Sequence, residues 1–156
     1  MRILSIDPGH NNGWAIFDTK KNPPLTHFGT AVGNKLLYAL LTELEMDEEF
    51  DGIKYCVVED YINRPPKAGG FDHSWDKGKT HRVIGALDFW CYENSIELVL
   101  RQPMLKPAAY GQLGMVYQKG KKNMHHMDAI VHGYSWLLDN KYVEKKDVLL
   151  SLRGKK

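Results

Sequence analysis

SIDPGHNNGWAIF, residues 5–17, breaks an apolar run with Asp7-Pro8-Gly9 and resumes it as Trp14-Ala15-Ile16-Phe17. Asp-Pro-Gly is good turn chemistry: proline presets one dihedral, glycine accepts positive φ, and a short acid can bond its own backbone. The stretch therefore predicts a hairpin. Its entering strand, residues 1–6, alternates so that Ile3, Ser5 and Asp7 share one face while Arg2, Leu4 and Ile6 share the other. Residues 13–18 form the second strand, "KKNPP" turns the chain, and residues 25–31 form a third, giving an antiparallel meander. Asp7 thus stands at the carboxyl end of a strand. Alone, it reads as a turn residue; a chemical reading needs other acids able to join it.

Beyond the meander the hydrophobic period changes. From Asn34, Leu36, Leu37, Leu40, Leu41 and Leu44 recur at helical spacing until Asp51-Gly52 breaks the pattern. "IKYCVVEDY" follows, dense enough in apolar and β-branched residues to be a central strand buried on both faces, and it ends on Glu59 and Asp60. "INRPPKAGGFDHSWDKGK", residues 62–79, is too long and too rich in proline, glycine and charge for a tight connection. It is either a functional loop or a disordered one. A second helix is expected over about residues 80–94, burying Val83, Ile84, Leu87 and Trp90 or Cys91, and "SIELVLR" is a further strand. The segment after Arg101 is punctuated by proline and glycine and predicts irregular structure with one helical turn. A last helix, residues 124 to about 140, carries Met127, Ile130, Val131, Tyr134, Leu137 and Leu138 on a broad apolar face. The expected architecture is a single α/β domain over residues 1–156: a mixed five-stranded sheet, three strands antiparallel and then parallel ones, flanked by helices. Residues 141–156 are expected to be a frayed basic tail.

Composition narrows the class of molecule. The chain has 156 residues, 43% of them hydrophobic and 26% charged, enough to bury a core without staples. A net charge of +2 and a pI near 8.4 permit a nucleic-acid partner without demanding one. Cys56 and Cys91 lack CxxC spacing and read as reduced core thiols. With no apolar leader and no bilayer-length apolar run, the sequence predicts a soluble, cytoplasmic protein with no membrane partner.

Three acids stand out by position: Asp7 ending the first strand, Glu59 ending the central strand, and Asp128 in the last helix. Carboxyl ends of adjacent strands open on a common crevice, and a helix packed across that end can add side chains from one face. His125 and Asp128, three apart, share such a face; His126 and Asp60 diverge from it. Converging carboxylates repel one another unless divalent cations neutralise them, and oxygen donors with one imidazole suit Mg²⁺ or Mn²⁺. Two such ions per site can hydrolyse a phosphodiester. The ordinary readings remain a turn for Asp7, a solvated strand end for Glu59 and a polar helix face for the histidines. None of them predicts all three segments together. Arg64, Lys67, Lys77, Lys79, Arg82, Lys119, Lys121 and Lys122 lie in or beside loops that could surround the crevice and meet phosphates. Tyr61, Phe71 and Trp75 could stack on opened bases or tuck beneath their own loop.

In this order, "SIDPGHNNGWAIF", "VVEDY" and "HHMDAIVHGYSWL" resemble the three signature segments of the RuvC-type Holliday junction resolvases, which have the ribonuclease H-like fold. The resemblance spans roughly the first 140 residues. It implies that Asp7, Glu59, His125 and Asp128 are the catalytic metal ligands and that Lys106, after the fifth strand, lies close to the scissile phosphate. It also implies a homodimer that nicks two strands of four-way junction DNA symmetrically with Mg²⁺ or Mn²⁺. A branch-migration complex is a further partner it leaves open. Many members carry Asp where His125 stands, the loop after Glu59 is longer than in typical bacterial members, and the stretch between Arg101 and Met124 is shorter. Alternatives of the same fold are a nuclease acting on RNA or other branched DNA, and a junction-binding protein without catalysis. Sugar kinases and actin-like ATPases also open on an Asp-x-Gly hairpin, but they need two lobes and the chain is too short for them.

Overall fold

The computed structural model describes residues 1–48, 52–60, 74–102, 106–115 and 125–145. Chain order is β1 (Arg2–Asp7), β2 (Asn11–Asp18), β3 (Leu25–Val32), α1 (Gly33–Met46), β4 (Ile53–Glu59), α2 (Ser74–Glu93), β5 (Glu97–Arg101), α3 (Lys106–Gln112) and α4 (His125–Asp139). The strands form one sheet in the order β3-β2-β1-β4-β5. The first three are antiparallel neighbours, and β4 and β5 add in parallel on the β1 side. This is the mixed five-stranded sheet the sequence predicts.

Alternation along the strands sorts the core into two layers. Ile3, Ala15, Phe17 and Val57 pack beneath α3 and α4, with Ala109, Tyr110, Leu113, Ile130, Tyr134 and Leu137 among their partners. Leu4, Ile6, Ile16, Cys56 and Val58 face the other way, against Leu37, Leu41 and Leu44 of α1 and Val83, Ile84, Leu87, Trp90 and Cys91 of α2. A stripe at i, i+4 and i+7 is what seats α1. Leu36, expected in that stripe, is instead 53% exposed, because it lies on the flank of the helix away from the sheet. Among the described residues no helix is long and apolar enough to cross a membrane.

Two expectations need correction. The second helix begins at Ser74 rather than near residue 80, so the last residues of the presumed loop are helical; Pro65 and Pro66 lie upstream, and nothing from Ser74 on forbids a helix. The segment after Arg101 holds a seven-residue helix rather than one turn. Pro107 is tolerated there because it sits in the first turn, where its missing N–H has no helical acceptor to serve. Cys56 and Cys91 are buried free thiols, as expected. Their mutual hydrogen bond, with burial, holds the Cys56 thiol well above its ordinary pKa. Residues 61–73 and the tail from 146 lie outside the described residues.

Candidate active site

Parallel pairing of β1 with β4 places Ser5 beside Val57 and Ile6 beside Val58, so Asp7 and Glu59 end neighbouring strands in step. Both belong to the face covered by α4. That helix lies unusually close to the sheet, and two glycines permit it. Gly13, the partner of Asp7 across the hairpin, faces the first residue of α4, where any Cβ would overlap the His125 carbonyl. Gly133 in the middle of α4 faces Phe17, whose ring a Cβ would overlap. Asn12, fully buried, holds the hairpin: its Oδ1 accepts the Gly9 N–H at 3.1 Å and its Nδ2 donates to the Ala31 carbonyl at 3.3 Å.

The result is a buried charge cluster built from four elements. The Lys106 ammonium, at the start of α3, lies 3.3 Å from Asp7, 2.9 Å from Glu59 and 2.9 Å from Asp128. His125 Nδ1 sits 3.0 Å from the other oxygen of Asp7. Tyr110 donates its hydroxyl proton to Asp128 at 2.7 Å. Glu59 is wholly buried, and the Nε2 of buried His132 faces its Oε2 at 3.4 Å. His125, Asp128 and His132 follow one another at three and four residues, a single stripe on α4. Behind them, Arg101 at the end of β5 pairs with Asp139 at 2.7 Å and donates to the His132 carbonyl at 3.3 Å. Gln112 joins α3 to both Ser135 and Asp139 of α4.

Burial and unequal partners separate the two strand-end acids. Burial is the largest influence on Asp7 and raises its pKa to about 6, against the opposing pull of His125 and Lys106. Burial also pushes Glu59 up, but hydrogen bonding from His132 and Asp7, together with the Lys106 charge, outweighs it and leaves Glu59 ionised well below the usual carboxylate range. His125 is raised by its hydrogen bond to Asp7, and Tyr110 by burial and by Asp128.

Of the residues singled out from the sequence, Asp7, Glu59, His125, Asp128 and Lys106 come together here. Lys106 does so as a buried ion-pair partner rather than on an open surface. His126 points away and stacks on Phe28 of β3. Arg82 is exposed on α2, in the layer across the sheet from α3 and α4. Lys79 lies in α2 with its side chain outside the described residues, as are Tyr61, Arg64, Lys67, Phe71, Lys119, Lys121 and Lys122 altogether. Sequence reasoning missed His132 and Tyr110. The i+4 spacing of His132 from Asp128 was a usable signal; Tyr110 offered none.

Whether these residues suit a divalent cation can be judged from their chemistry. Three hard carboxylates and an imidazole form a suitable donor set, and both Glu59 oxygens are buried without a hydrogen bond of good geometry. Among the described residues, however, no three acid, histidine or cysteine side chains already close on one point as ligands. The ammonium of Lys106 holds the centre of the group.

No family model and no curated protein matches the sequence. Solved structures do match. Thermus thermophilus RuvC in complex with Holliday junction substrate superposes with a TM-score of 0.64 at 14% identity, covering 90% of this chain and 95% of that one. A further Thermus thermophilus RuvC structure gives 0.57 at 16% identity, covering 91% and 98%. The fowlpox virus Holliday junction resolvase gives 0.52 at 13% identity, covering 90% and 99%. The chain has the ribonuclease H-like fold of the RuvC-type resolvases.

Proposed function

We propose that the protein is a metal-dependent, structure-selective DNA endonuclease that resolves four-way junctions by paired nicks. The observation that carries this reading is the convergence of Asp7, Glu59 and Asp128, from two strand ends and one helix, on a single cationic centre. Similarity of fold to a RuvC solved with a Holliday junction substrate supports the choice of DNA over other phosphodiesters.

Asp7, Glu59 and Asp128 would hold Mg²⁺ or Mn²⁺, with His125 as a fourth ligand or as the group that orients the attacking water. Bound there, two divalent ions would supply an activated water and stabilise the leaving oxygen. The protein's own work is placement. β1 and β4 present two carboxylates in register, α4 adds one carboxylate and one imidazole, and the apolar layer beneath α4 keeps bulk water out. Lys106 balances the acids in the metal-free protein. With the acids neutralised by bound cations, its ammonium would be available to a phosphate oxygen, the role its position after β5 suggests. Lys79, Arg82, Arg64, Lys119, Lys121 and Lys122 are assigned to the DNA backbone and Tyr61 to a base. Paired nicks require two sites, so a homodimer is part of the proposal. Phe89 and Tyr92, 66% and 80% exposed on α2, are assigned to that contact.

The test is cleavage of a four-way junction against a matched duplex and an RNA–DNA hybrid, with Mg²⁺ or Mn²⁺ and with EDTA. Metal-dependent cutting of the junction, abolished by Asp7→Asn with junction binding intact, is the expected result. Preferential cutting of the hybrid would move the substrate to RNA. Tight junction binding without cleavage under either metal would make the protein a binding module.

A further inference from the structure

Glu59 has no solvent exposure and stands between two nitrogen groups of different kinds: the Lys106 ammonium at 2.9 Å and the His132 Nε2 at 3.4 Å. Lys106 belongs to a seven-residue helix and shares its charge among three acids. His132 belongs to the fifteen-residue α4, is 1% exposed, and has its carbonyl held by Arg101 at 3.3 Å. Neither of its ring nitrogens makes a hydrogen bond of good geometry among the described residues, so the ring has no competing partner to turn it from Glu59.

We propose that His132 is a positioning residue: through Nε2 it fixes the Glu59 carboxylate at the carboxyl end of β4 independently of Lys106. This role rests on the reading of the cluster as a metal-dependent nuclease site, in which the Lys106 ammonium would give up its place among the acids. Glu59 would then lose its nearest cation, and its buried carboxylate needs a second, immobile partner to keep its direction. His132 meets that need because the same helix face carries Asp128 and His125, so one rigid element sets three of the groups relative to one another. A buried carboxylate that is left without its orienting partner costs the site affinity rather than merely stability.

The experiment compares His132→Gln, whose amide nitrogen can stand where Nε2 stands, with His132→Met, which fills similar space without a donor. Mn²⁺ binding to the DNA-free protein is measured by calorimetry, alongside thermal melting and crystal structures of both metal-free variants. The expected result is a loss of Mn²⁺ affinity of about 10- to 100-fold in His132→Met. His132→Gln should lie near wild type, and Glu59 should be turned away in the crystal structure of His132→Met and unmoved in that of His132→Gln. Equal behaviour of the two variants, or an unmoved Glu59 in His132→Met, would overturn the proposal. Should wild type itself bind no Mn²⁺, the nuclease reading fails on its own account, and the position of Glu59 in the two crystal structures still decides the role of His132.

Discussion

The two faces of the sheet differ in what they ask of the same strands. Toward α1 and α2, Leu4, Ile6, Ile16, Cys56 and Val58 pack with apolar side chains and the Cys91 thiol, and position there is set by volume. Toward α3 and α4, the next residues along are Ser5, Asp7 and Glu59, and the helices return Lys106, Tyr110, Asp128 and His132. Burying those charges costs free energy that only close pairing offsets. One face stabilises the molecule, and the other spends part of that stability to hold a charged site ready. Stability and activity should therefore respond in opposite ways to changes on the two faces.

The largest expected effect separates them outright. Asp7→Asn is expected to lower junction cleavage about 10³-fold, the loss of several kcal/mol of charge stabilisation, while the metal-free protein melts at the same temperature or higher. Leu87→Ala, on the opposite face, should cost about 2–5 kcal/mol of stability and leave the turnover of the folded fraction unchanged. Single-turnover cleavage and melting curves of both variants check the pair.

Lys106→Met sharpens the contrast from the side of the cation. It leaves three acids facing one another and should destabilise the protein in EDTA by about 3–5 kcal/mol. Added Mn²⁺ should raise its melting temperature by more than it raises that of wild type, since no ammonium competes for the acids; Leu87→Ala should gain only as much as wild type. Equal gains would argue that the ammonium and a metal ion do not share the site.

Gly13→Ala tests whether the close approach of α4 to the hairpin matters to chemistry. The new methyl group must displace the first turn of α4 and with it His125, and cleavage is expected to fall about 10- to 100-fold with a smaller loss of stability. Gly78→Ala, in open space on α2, should stabilise by about 0.5–1 kcal/mol with no effect on cleavage.

A further expected effect is one of pH. Asp7 binds its proton more tightly folded than unfolded, with a pKa raised from 3.8 to about 6. Its contribution to stability is therefore complete below pH 3.8 and is lost as pH rises through about 6. Glu59, held low, contributes in the opposite sense: its stabilisation is present above the ordinary value of 4.5 and disappears as pH falls toward about 2. Urea unfolding in EDTA between pH 4 and 7 should show the wild type losing stability relative to Asp7→Asn by up to about 3 kcal/mol. Parallel curves would mean that Asp7 is not strained by its burial.

Much of this arrangement was legible in the chain. Period-two alternation over residues 1–7 assigned Asp7 to a face, and the unbroken apolar run before Glu59 made β4 central. The three-residue step from His125 to Asp128 put both on one side of a helix. Boundaries were less legible where the composition is ambiguous: Ser74–Lys79 carries charge and a glycine, yet it continues into a strongly apolar helix and is drawn into it. Leu36 carried the right residue type in the wrong angular position, because a helix of fourteen residues packed on a sheet buries a narrower stripe than its leucines could fill.

By itself, then, the sequence determined the order and kind of the elements and which acids end them, since local periodicity and turn chemistry act over a few residues. Only the tertiary structure decided what those acids touch. Lys106 reaches Asp7, Glu59 and Asp128, Tyr110 reaches Asp128, and His132 reaches Glu59, because α3 and α4 cross the same sheet end. Those contacts span 18 to 99 positions of chain for Tyr110 with Asp128 and for Lys106 with Asp7, well beyond the reach of any local pattern. The raised pKa of Asp7 is likewise a property of burial and neighbours, which exist only once the chain has folded.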